Sequence, residues 1–545
     1  MRDPNRAAIM KLKTFSVIAI STFFLLGCGG NENTNTVNLS GQVSTSKNLA
    51  TVSHYSASRF LEHASMGPSP ASVAQVKALG IEGWINYQMK LPPTIIKTPA
   101  NLINFDDNLD RPALQRMDDH YHNSMYNFLI GGEDQLRIRT TWVLSNFLVV
   151  SRRKVPHYGI LEAVNVFQNS AFGQYGDLLK NLTRNSAMGF YLDNVQNNQR
   201  KLNENYGREL MQLFSVGLVQ LNLDGSTKKS ASGKIIETYT QKDVIEITRA
   251  LTGWTFAPSE VKLLSQAAGN YDKQMVEWPF AHDTGSKTIL GKTIPAGQDA
   301  QKDLDSLVEI LMAHPNTAPF VSLRLIQGMT TSDPSPAYIK RVATVFRDTK
   351  GNLAKVVTAI LTDPEARIGD TFGKSASNFG RIKEPLLIYT SGFRGLGCKV
   401  AVKSNNNPTK VLRNYQQEAF NAYSVFNYYP PNHKTQGTNV LAPEQKMLTS
   451  TEFSSRMSFF HSAFENESLL NDAGCDVSVF KEAQNTSVDK VISLMNERYF
   501  RGAMSESISA SIIEAVMNQQ KNQGLRLTGS ILDLASLTPA FGVSE

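Results

Sequence analysis

A chain of 545 residues is too long for one small core, and 41% hydrophobic with 19% charged residues is the composition of an ordinary soluble globule. The formal net charge of +7 is small for this length and its bases form no cluster, which argues against nucleic acid as a partner. Three cysteines without a Cys-x-x-Cys pair leave no zinc ribbon or thioredoxin-like redox site.

The first element in chain order is an export signal. Bases end at Lys13, an apolar stretch follows at 15–26 (FSVIAISTFFLL), and Gly27 and Cys28 close it. The stretch falls short of the roughly 20 apolar residues that cross a bilayer. Met10, directly before Lys11, offers a second start. Leu25-Leu26-Gly27-Cys28 resembles the bacterial lipobox, which implies cleavage before Cys28 and its acylation. With several acyl chains, each buried methylene contributing about 0.8 kcal/mol, anchoring is stable. Gly29 after the cysteine points, by resemblance to sorting rules, to the outer membrane of the cell envelope. Residues 1–27 then form the signal peptide of a lipoprotein, and they hold +3 of the +7 charge, leaving +4. Residues 28–52 read as a lipid-anchored tether, whose polar stretch 29–50 spans roughly 25 Å for about 22 flexible residues.

From Ser56 onward helical patterns dominate. Ser56 and Ser69-Pro70 read as helix starts. Residues 134–150 are apolar on several faces and predict a buried central helix, with Arg137 and Arg139 at its more polar end. The spacing predicts further helices at 160–168, 174–184, 204–217, 241–253, 302–313, 318–329, 336–347, 352–362, 383–394, 444–463 and 505–520. Two β-hairpins interrupt them. One runs out at 221–225 and back at 234–239, and the other pairs 287–290 with 293–295 through a turn at Gly291-Lys292. The fold class is mainly α, a large multi-helix body with one or two small hairpin insertions. The polar run 403–408 divides it into a main helical domain at 53–400 and a C-terminal helical region at 401–545 packed on it. Cys398 and Cys475 are either a disulfide, as an oxidising compartment favours, or two buried thiols.

Three segments hold groups with chemistry. In the 203–214 stretch Asn203 is a candidate N-cap, and Glu204 and Arg208 are i, i+4 partners. Glu209 lies at the edge of the apolar face beside Tyr206 and Leu213, so it is either paired on burial or raised in pKa. It serves either a cation- or ligand-binding pocket or a buried network that locks helices together. In the second stretch Thr240 and Asp243 approximate a capping box, Gly253 ends the helix, and Trp254 packs or lines a pocket. The third gathers His282, Asp283 and Lys287 on one loop, which reads either as an acid–base or metal site or as a turn held by Asp283. Residues 118–122 (DDHYH) also cluster ligand types, but their histidines point to different sides and a solvated face is expected. There is no Gly-x-Ser-x-Gly elbow, Walker loop or dinucleotide fingerprint.

In this order, NENYGRELMQLFSVGLVQLN, YTQKDVIEITRALTGWTF and HDTGSKTILG resemble the bacterial family called domain of unknown function 1800. RFLEHASMGPS, SAMGFYLDN, HPNTAPFVSLRLIQ and FNYYPPN agree with it, together covering nearly all of 55–460. The resemblance implies export and a partner, an exported protein encoded nearby. It also implies a shared cleft of Glu204, Arg208, Glu209, His282, Asp283 and Lys287, with Asn203, Asp193 and Trp254 in binding roles. Relatives often have Ala at Gly207; a mid-helix glycine, about 1 kcal/mol worse than alanine, then permits close packing. Two functions compete. One is a ligand- or partner-binding assembly module at the envelope. The other is an exported hydrolase or metal-assisted enzyme, with a glutamate as base and His282 as acid–base. No cofactor motif is evident, and a divalent cation is the small partner the acidic groups would accept.

Overall fold

The computed structural model describes residues 52–103, 111–258, 269–374, 376, 378–399, 417–465, 467–516 and 526–545, so Cys28, the signal and nearly all of the tether lie outside the described residues. Among the described residues are 22 α-helices and three two-stranded antiparallel sheets, a mainly α protein with small β insertions. No described helix is long and apolar enough to cross a membrane.

Local signals explain most of the helix starts. Ser53 caps the first helix, His54–Ala64, one turn earlier than Ser56 suggests. Ser69 and Ser72 form a capping box with Pro70 at the first helical position of Pro70–Lys90. Thr240 and Asp243 do the same for Gln241–Ala250. The central helix is Gln135–Ser145, buried at every residue. Arg137 and Arg139 are therefore not at a polar end. They donate to the backbone carbonyls of Gln168, Leu91 and Gly328, which replaces lost water. Around this helix pack Pro70–Lys90, His157–Ser170 and Thr317–Met329.

Three expectations change. The Lys287–Ile289 and Lys292–Ile294 strands pair Thr288 with Thr293, so the turn is Leu290-Gly291, one residue earlier than read. Both turn residues have positive φ, as a tight hairpin turn of matching twist requires. The 219–237 excursion has no ladder, only isolated antiparallel bridges such as Val219 with Glu237. Residues 118–122 are not a solvated face either. Tyr121 and His122 are each 1% exposed, on the helix Arg111–Tyr126. His122 Nε2 lies 2.8 Å from Glu418, and Arg152 pairs with Asp118 and Glu418. Burial pushes His122 down, but Asp118 and Glu418 outweigh it and hold the imidazole above its ordinary range.

The described residues form one compact unit. The later chain is sewn to the earlier chain at several places. Strand Arg381–Ile382 pairs with Val543–Ser544. Buried Glu62 bridges Lys383 at 2.9 Å and Arg501 at 2.8 Å. Tyr126 donates to the Ala473 carbonyl, and Cys398 and Cys475 form a disulfide across a separation of 77 residues.

Candidate functional site

Three loops interlace where the singled-out segments meet. Gly253 follows the Gln241–Ala250 helix at φ +82°, and a Cβ there would lie 2.6 Å from His282 Cβ, so only glycine allows this approach. Its N–H donates to Asn197 O at 2.9 Å, and its carbonyl accepts from Trp278 N at 2.7 Å. Gln196 N donates to Trp254 O, and Gln199 N to Ala281 O. Trp254 is buried and packs in the core. Asn203 N donates to Asn197 Oδ1, and Asn203 Oδ1 accepts from Asn205 N at the start of the Asn205–Gln212 helix.

The charged groups assemble in two sets along the Gln241–Ala250 helix. At its start Gln241 donates to both Glu204 oxygens, and Arg208 pairs with Glu204 at 2.8 Å. Asp193 accepts from Asn205 Nδ2 and pairs with Lys154. At its end Arg249 clasps Asp283 through two hydrogen bonds of 2.8 and 3.1 Å and also pairs with Glu246. Burial pushes the Asp283 carboxyl up, but Arg249 and the Gly285 N–H hold it below the usual range. Buried Asp303 lies 2.6 Å from Lys287 Nζ and 3.2 Å from His282 Nε2, while His282 Nδ1 donates to the Thr252 carbonyl. Eight residues of helix separate Gln241 from Arg249, about 12 Å of rise, so the two sets sit towards opposite ends of this helix.

Glu209 belongs to neither pairing. It is buried, its Oε2 has no hydrogen-bond partner among the described residues, and burial raises its pKa against a smaller pull from Arg208. Its charge is felt by Tyr191, which burial pushes up to about 12, and by Tyr239. Sequence reasoning missed Glu246, Arg249 and Asp303. Asp303 had a legible signal, since it shares the apolar stripe of Ala300, Leu304 and Leu307 as Glu209 shares its own. Among the described residues no group of three or more His, Cys, Asp or Glu side chains is placed to hold a metal ion.

The arrangement is chemically a set of ion pairs that fixes three loops, with the Glu209 carboxylate outside them. No curated protein and no solved structure matches the chain. Residues 59–543, nearly the whole chain, match the family model described as Protein of unknown function (DUF1800), and the protein belongs to that family.

Proposed function

We propose that the protein is a partner-binding module at the cell envelope, with the loop around residues 276–281 as its contact surface. The observation that carries this reading is Phe280, whose ring is 90% exposed at the Pro279–Ala281 turn, with Trp278 40% exposed beside it. The base of the loop is fixed by Gly253, His282 and the Lys287–Asp303 pair. An exposed aromatic on an anchored loop has little internal use and is the kind of side chain that anchors interfaces. The lipobox at Cys28 and the polar tether support an envelope address, and the Cys398–Cys475 disulfide suits an oxidising compartment. The partner is an exported protein encoded nearby.

Co-purification of that protein with the full chain is the test. Phe280→Asp is expected to lose at least nine-tenths of the partner, on the order of a hot-spot loss, while Glu209→Gln keeps it. Full retention by Phe280→Asp sinks the reading. The hydrolase reading is favoured by one observation, the unpaired Glu209 oxygen of raised pKa. It would replace the first if Glu209→Gln abolished function with the partner still bound.

A further inference from the structure

Away from the interlaced loops lies a small apolar recess, open to solvent at its mouth. Its walls include Phe147 just past the central helix, Phe320 on the Thr317–Met329 helix, and Phe426 and Tyr429 from the FNYYPPN stretch. Arg324 follows Phe320 by one helical turn and enters the same recess.

Arg324 has no carboxylate partner among the described residues. Its Nη1 donates to the neutral Gln327 Oε1 at 2.8 Å, and its guanidinium lies 5.1 Å from the Phe320 ring centre. The one acid in the lining, Glu444, is committed elsewhere, to Arg381 at 2.8 Å and to the Ser332 hydroxyl at 2.8 Å. Tyr429 is committed too, its hydroxyl donating to Glu384. Burial pushes Arg324 down to about 10, which leaves it cationic at neutral pH. The recess therefore combines an apolar aromatic wall with one uncompensated positive charge of fixed position. A planar guanidinium partly removed from water binds a carboxylate through two parallel hydrogen bonds, and more strongly than it would in open solvent.

We infer that this recess binds a small apolar monoanion, an aryl or short alkyl carboxylate whose charged end meets Arg324 and whose body lies against Phe147, Phe320 and Phe426. The site is independent of the Phe280 surface and of the envelope reading.

Calorimetric titration of the purified full chain with 3-phenylpropionate, its neutral amide and hexanoate tests this. One of the two carboxylates is expected to bind at least about tenfold more tightly than the amide, the scale of one charge-assisted contact. Arg324→Gln should bring that carboxylate down to the level of the amide and leave the amide unchanged. Phe426→Ala, at a half-exposed position, should weaken carboxylate and amide together. Thermal unfolding of each variant checks that it is folded. Equal binding of carboxylate and amide, a preference that survives Arg324→Gln, or no heat from any probe at millimolar concentration overturns the inference.

Discussion

A carboxylate taken from water with one oxygen unpaired loses stability when it ionises, and Glu209 is in that position. Its folded pKa is raised above the unfolded value, so its contribution is fully present below about pH 4 and is lost as pH rises through the folded pKa. Glutamine keeps the shape and carries no charge. Glu209→Gln should therefore raise the unfolding temperature at pH 7, with a gain that shrinks towards pH 4; a gain independent of pH would contradict this account. Glu209 was legible because its burial follows from its own helix, through Tyr206 and Leu213 at helical spacing. The bond from Arg208 to Glu204 was legible for the same reason. Asp303 as the partner of Lys287, and Arg249 as the partner of Asp283, were not. Each pair joins separate elements, and nothing local specifies which cation will face which acid. Arg324 was illegible for the opposite reason, since what distinguishes it is the lack of a described carboxylate partner.

At the scale of elements, the Asn205–Gln212 helix sits hard against Gln241–Ala250. A Cβ on Gly207 would lie 2.9 Å from Thr248 Oγ1 and 3.1 Å from Ile247 Cγ2. The Thr248 hydroxyl cannot swing away freely, because it donates to Val244 O at 2.7 Å. Alanine is better in a helix by about 1 kcal/mol, but overpacking costs about 1–3 kcal/mol. Gly207→Ala is thus expected to destabilise by about 1 kcal/mol in denaturant titration. Combined with Thr248→Ala, its effect should fall well below the sum of the two singles, as neighbouring sites couple; strict additivity would mean the helices are not in this contact. Caps and stripes gave the helices their places in the sequence reading, because those signals are local. The hairpin turn came out one residue off, since Leu290 in a left-handed conformation is not something its residue type announces. The face of Tyr121 and His122 was misjudged because its cover, Arg152 and Glu418, is remote in the chain.

For the molecule as a whole, the disulfide closes a loop of 77 residues, which in the chain-entropy account is on the order of 4 kcal/mol of stability. Cys475→Ser, or reduction of the intact protein, should lower the unfolding temperature by several degrees, and an unchanged value would show that the bond is dispensable. Long-range fastening of this kind also bears on the order in which the body can close as the chain emerges. Glu62, near the start of the body, gains Arg501 as a partner only after more than four hundred further residues have appeared, and strand Arg381–Ile382 finds its mate later still, at Val543–Ser544. A polypeptide threaded through a narrow channel from its N-terminal side would carry these groups unmatched for most of the journey. In such a passage locking would come last, these pairs closing only once the final residues had emerged.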